Sequence, residues 1–139
     1  MKTQARRRGD APGQMEDRRP DLKLSVPARE PWRAHERLRG LERELGPVLA
    51  RHLSACAEEL LFMGSAHPEA QGQTNLSVRL SASRARVEVT NHGFGLDSQE
   101  GAPLARVAGR GLDLLERLSD RWGVERGSPT VFWFELERA

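Results

Sequence analysis

The sequence predicts an α/β (α+β) two-layer sandwich, with about three helices covering one face of a mixed, mostly antiparallel sheet. Three observations lead there. The spacing of apolar residues alternates along the chain between a period of 2 and one near 3.6. Gly and Pro stand at the points where the period changes. With 139 residues, 37% hydrophobic and 30% charged, the chain has apolar material for one modest core.

Leu22, Leu24 and Val26 alternate with polar residues and predict a short strand that Pro27 stops. Pro31 suits a first helical turn, and Ala34, Leu38, Leu41 and Leu45 then mark one face of a helix. Gly46-Pro47 ends that helix and starts the next, whose stripe is Leu49, Leu53, Cys56 and Leu60. After a polar loop from Pro68 to Gln73, Leu76, Val78 and Leu80 predict a strand. Val87 and Val89 predict its hairpin partner across Ser81–Arg84. Asn91 to Ala108 is Gly-rich and lacks apolar periodicity. Gly109-Arg110-Gly111 opens a third helix with Leu112, Leu115 and Leu118 inward. Strands around Arg121–Glu125 and Thr130–Leu136 close the chain.

The formal net charge of +2 is unevenly spread. In residues 1–20, Lys2, Arg6, Arg7, Arg8, Arg18 and Arg19 outweigh Asp10, Glu16 and Asp17, and the rest is nearly neutral. The expected organisation is a basic, disordered tail over 1–20 and a single domain over 21–139. A tail of this kind is compatible with nucleic acid, but its composition fits a solvated leader better. No stretch of about 18 apolar residues is present, so a membrane span is not expected. Cys56 is the sole cysteine, which excludes an internal disulfide and a multi-cysteine zinc site and fits a cytoplasmic protein. His35, His52 and His92 lack a second ligand at metal spacing. Trp32 reads as a packing residue. Val131, Phe132, Trp133 and Phe134 in succession put aromatics on both sheet faces, so the outer face is expected to expose apolar area to a second copy or a partner.

Three segments carry chemistry when taken together. Glu59, Met63 and His67 share one helix edge at i, i+4 and i+8. Asn91-x-Gly93-x-Gly95 follows a strand directly, where glycines let a ligand approach the backbone. Gly109-x-Gly111 leads a helix whose free N–H groups can receive a phosphate, with Arg106 and Arg110 alongside. Each piece alone reads as a helix edge, a turn or a loop. Their order within one small domain is less common.

From about Leu53 to Leu136 the chain resembles the histidine-kinase-like (GHKL, Bergerat-fold) ATPases, and among them the bacterial anti-sigma-factor serine kinases. The resemblance rests on VEVTNHGFGL after a strand, on GRGLDLLERLSDRWGVERGSPTVFWFEL at the end, and on AEELLFMGSAH where the family has its Glu-x-x-x-Asn helix. It implies a Bergerat-type fold, ATP or ADP as ligand, a homodimer, and a sigma factor or a STAS-domain anti-sigma-factor antagonist as partner. It places Glu59 at the family's general base. Asn91, Gly93, Gly95, Arg106, Gly109, Arg110 and Gly111 fall in the nucleotide-binding segments. The family's Mg²⁺-binding asparagine is replaced by Met63, and a thioether is a poor ligand for a hard cation. The family's adenine-binding aspartate is replaced by Asn91, which still accepts a hydrogen bond but without charge assistance. The expected function is therefore an anti-sigma-factor-type regulator acting by protein binding in partner switching, with nucleotide binding and kinase activity weak or lost. The alternatives are an active serine/threonine kinase phosphorylating the STAS-domain antagonist and a nucleic-acid-associated factor working through Arg6–Arg8. The segment from Leu96 to Ala108 stands where such a domain would carry a lid.

Overall fold

The computed structural model describes residues 19–65, 72–91, 110–125 and 129–138. Strand β1 (Leu22–Pro27) leads into a 3-10 turn (Pro31–Ala34), then α1 (His35–Arg39), α2 (Glu42–Leu45) and the long α3 (Pro47–Ser65). Strands β2 (Gln73–Leu80) and β3 (Arg84–Asn91) form a hairpin. Helix α4 (Arg110–Leu118) precedes β4 (Arg121–Glu125) and β5 (Thr130–Glu137). The result is the expected α+β two-layer sandwich, with its helices packed on a five-stranded sheet.

The strand order is β1-β2-β3-β5-β4, and every pairing among the described residues is antiparallel. That corrects the expectation of a mixed sheet. Strands β3 and β4 do run in the same direction, joined through α4, but the final strand inserts between them and pairs antiparallel with both. The crossover thus leaves no parallel ladder.

Register lines the apolar positions up in rows across the sheet. Leu22, Val78, Val87, Phe134 and Trp122 form one row, and Leu24, Leu76, Val89, Phe132 and Val124 the next. With period 2 in each strand, both rows face the helices. They meet Leu53, Cys56, Ala57, Leu60 and Leu61 of α3 and Leu112 and Leu115 of α4 in one buried cluster. Two aspartates tie the sheet ends. Asp21 accepts from the Leu80 N–H at 2.7 Å, and Asp120 accepts from the Glu137 N–H at 2.7 Å.

The single helix expected between Pro31 and Leu45 is three pieces. Its apolar face holds: Ala34, Leu38 and Leu41 are buried and Leu45 is partly so. The hydrogen bonding changes at Gly40, whose N–H is shared between the carbonyls of Glu36 (3.3 Å) and Arg37 (3.2 Å), and the Leu41 N–H bonds to Leu38. Glycine propagates a helix poorly, so the chain tightens there while its core-facing residues stay in place. Gly46, at φ 83° and ψ 162°, stops α2 and turns the chain into Pro47.

The outer sheet face departs from the expectation of exposed aromatics. Trp122, Phe132 and Phe134 all belong to the core, and Trp133 alone points away from the helices. Yet Trp133 is fully buried. The Arg86 guanidinium lies 4.4 Å from its ring centroid and that of Arg121 lies at 6.0 Å. Across from it stands Gly123, which leaves room for the indole to lie over the neighbouring strand. Arg86 donates to Glu135 at 2.8 Å and to Glu88 at 3.1 Å, and Arg84 donates to Glu135 at 3.2 Å. This charged lattice covers the aromatic, so Trp133 offers no apolar area on the outer face to a second copy or a partner. Trp32, expected to pack, is instead 59% exposed.

Candidate functional site

Three packing relations fix how the chemistry-bearing segments meet. Cys56 of α3 donates to the Leu114 carbonyl of α4 at 3.8 Å. Leu49 and His52 of α3 share a groove with Leu118, at the far end of α4. The two helices therefore run antiparallel. One turn of rise beyond the Cys56–Leu114 contact sets the start of α4, Arg110-Gly111, alongside Glu59 and Leu60, and Met63 lies about one turn further along α3. That same groove includes Leu136 and Glu137, and Arg138 donates to the Glu44 carbonyl at 2.8 Å. The Leu136 end of the sheet thus lies under the start of α3. Asn91, paired with Thr130 at the opposite end, lies toward the end of α3.

The described parts of the three segments singled out in the sequence therefore lie toward one end of the sandwich. They are the C-terminal half of α3, the end of β3 and the beginning of α4. Local sequence explains each placement. Glu59 sits one position off the buried Cys56–Leu60 stripe and is half-buried. Met63, one turn on, is also half-buried and packs against the core cluster, so its thioether fills apolar space at the helix edge. Asn91 ends β3, where the alternating pattern of Val87 and Val89 gives out. Helix α4 is anchored from below: the Trp122 indole N–H donates to Glu116 at 2.8 Å, and the Ser119 hydroxyl caps the Leu115 carbonyl.

Gly93, Gly95, Arg106 and Gly109 lie outside the described residues. So do the 96–108 segment, His67, His92 and the part of the basic tail in 1–18.

Two hydroxyls at this end were missed by sequence reasoning. Thr74 and Thr130 are buried, in the same register row as Asn91 and on the helix-facing side. The signal was present, because Thr130 continues the alternation of Phe132 and Phe134 and so was bound to face inward.

Chemically, this end offers one half-buried carboxylate, a thioether one turn away, and the N-terminus of a nine-residue helix. Among the described residues no group of three or more His, Cys, Asp or Glu side chains could hold a metal ion. Also among them, no helix is long and apolar enough to cross a membrane. A scan against protein-family models finds no match, and no curated protein matches this chain significantly.

Proposed function

We propose that the chain is a regulatory protein built on a nucleotide-binding-type α+β domain, in which the nucleotide end has become degenerate. More particularly, it is an anti-sigma-factor-type regulator of the histidine-kinase-like class. It would act in the cytoplasm as a homodimer that binds a sigma factor or a STAS-domain antagonist. The observation that carries this reading is Met63. It stands on the α3 edge one turn beyond Glu59, half-buried, with its thioether packed against the core cluster. Phosphoryl transfer relies on Mg²⁺ to neutralise the β- and γ-phosphates, and a core-packed thioether cannot supply the oxygen that Mg²⁺ requires. Glu59 as a lone carboxylate is insufficient for transfer. The functional weight then falls on protein binding.

Calorimetric titration of the full chain with ATP and ADP, with and without Mg²⁺, tests the nucleotide half. Binding is expected to be weak and almost independent of Mg²⁺. Sub-micromolar, Mg²⁺-dependent ATP binding would overturn it in favour of a working kinase. Affinity purification of the tagged chain from its native cell tests the other half, with a sigma factor or a STAS-domain protein expected in the eluate. Met63→Asn combined with Asn91→Asp should strengthen Mg²⁺-dependent binding more than either change alone. The expected gain is about 2–4 kcal/mol, from one recovered metal contact and one charge-assisted hydrogen bond. A double variant that binds no better than wild type would place the metal position elsewhere on α3.

A further inference from the structure

The first helical run and α3 form an antiparallel pair, and their solvent-facing seam has an uneven chemistry. On the first run Trp32, His35, Arg39 and Glu42 follow one another at spacings of 3, 4 and 3. On α3 Arg51, Ser54, Glu58 and Phe62 follow at 3, 4 and 4. Each set is one stripe of its helix. The His35 Nδ1–Glu58 Oε2 contact of 2.9 Å fixes how the stripes face each other. Arg39, Glu42, Arg51 and Ser54 then close around a groove of about 250 Å³. By the same antiparallel register, Trp32 and Phe62 come to the other end of the seam.

Both ends are unspent. Trp32 is 59% exposed and Phe62 48%, two of the three large apolar side chains so exposed among the described residues. Arg39 and Arg51 make no ion pair among the described residues, whereas Arg33, Arg79, Arg84, Arg86 and Arg121 do. Trp and Arg are the side chains most often found carrying binding energy at protein interfaces. Trp32 and Arg39 are seven positions apart, about 11 Å along a run that is 3-10 to Ala34 and α-helical beyond it.

We infer that this seam is a docking groove for an acidic amphipathic helix of a partner protein. The partner's apolar side chains cover Trp32 and Phe62, and two carboxylates, about two and three turns further along, reach Arg39 and Arg51. The His35–Glu58 pair separates the two subsites and fixes their distance. A ligand helix that matches has apolar residues at i and i+4 and Glu at i+7 and i+11. The groove lies on the solvent side of the helices and does not involve the Glu59–Met63 edge. The inference therefore stands or falls apart from the nucleotide reading.

The test uses the full chain and a blocked 15-residue helical peptide with Leu at positions 2 and 6 and Glu at 9 and 13. Calorimetry gives the affinity, and tryptophan emission locates the site, because Trp122 and Trp133 are already buried and a blue shift reports Trp32. Saturable binding with a blue shift is expected. Arg39→Gln with Arg51→Gln should weaken it by about tenfold or more, and so should Trp32→Ala with Phe62→Ala. A peptide with Gln for both Glu residues should show a similar loss. Lys23→Gln, in β1 and away from the seam, should leave the affinity unchanged. Far-UV circular dichroism verifies that each variant is folded, as expected for exposed positions. Absence of binding, equal binding of the Gln peptide, or indifference to either double variant overturns the inference. So does tighter binding of a short oligonucleotide that depends on the arginines but not on Trp32 and Phe62.

Discussion

Two tryptophans, both fully or almost fully buried, are held in opposite ways, and the difference is measurable. Trp122 is a core residue whose indole N–H donates to Glu116. Trp133 is on the outer face beneath Arg86, and its indole N–H has no hydrogen-bond partner among the described residues. Replacing Trp122 by Phe removes a satisfied bond and opens core volume, at an expected cost of about 2–4 kcal/mol. Replacing Trp133 by Phe gives up volume and some cation–π attraction but also removes an unsatisfied buried donor. It should cost at least about 1 kcal/mol less, by denaturant titration. An equal loss at both sites would show that the Trp133 indole N–H is paired in solution. Glu135 is the acceptor that organises the lattice above it, 2% exposed and within 3.6 Å of three arginines. Glu135→Ala would leave the buried Arg86 with Glu88 as its remaining carboxylate partner in place of two and should cost about 2–4 kcal/mol. Arg86→Met with Glu135→Leu should recover most of that, because a buried pair is expensive to break and much less so to replace. If the double variant is as unstable as the single, the ion pair is itself the source of stability.

Among the elements, the boundary between α2 and α3 depends on one backbone conformation. Gly46 combines φ 83° with ψ 162°, a region that side-chain-bearing residues avoid, and nothing lies within 4 Å of where its Cβ would be. The cost of substitution is therefore conformational and not steric crowding by neighbours. Gly46→Ala and Gly46→Asn should both lose about 1–3 kcal/mol by chemical denaturation. At an ordinary left-handed cap Asn would recover part of the loss, so a stable Asn variant would mean that the junction relaxes to another turn. The same boundary was legible in the sequence as Gly-Pro between two apolar stripes. The break at Gly40 was not, because a helical face and a tightened helical run bury the same residues.

Across the whole molecule, the helix layer and the sheet share one buried cluster, so opening either exposes both. Cys56 sits at the centre of that layer, fully buried between α3 and α4. Its reaction with a thiol reagent should follow global unfolding, with labelling and fluorescence midpoints coinciding in a denaturant series. Labelling well below the fluorescence midpoint would show that α4 detaches as a separate unit. The candidate site depends on the same arrangement. Glu59, Asn91 and Arg110 are far apart in sequence, and they are brought to one end by the antiparallel α3–α4 contact and by the direction of β3.

The sequence by itself determined the order and type of the elements, the inward faces and most chain reversals, because these follow from local periodicity and from Gly and Pro at the joints. It also singled out Glu59, Asn91 and Arg110, since residue type and spacing are local properties. Tertiary structure alone decided that the final strand would insert between β3 and β4, making the whole sheet antiparallel. It also decided that Trp133 would be roofed by arginines rather than left bare, and that Trp32 would stand in solvent. Each of these depends on which residues meet across large sequence separations, and pairing energies between strands and between helix faces are not encoded in the period of either partner.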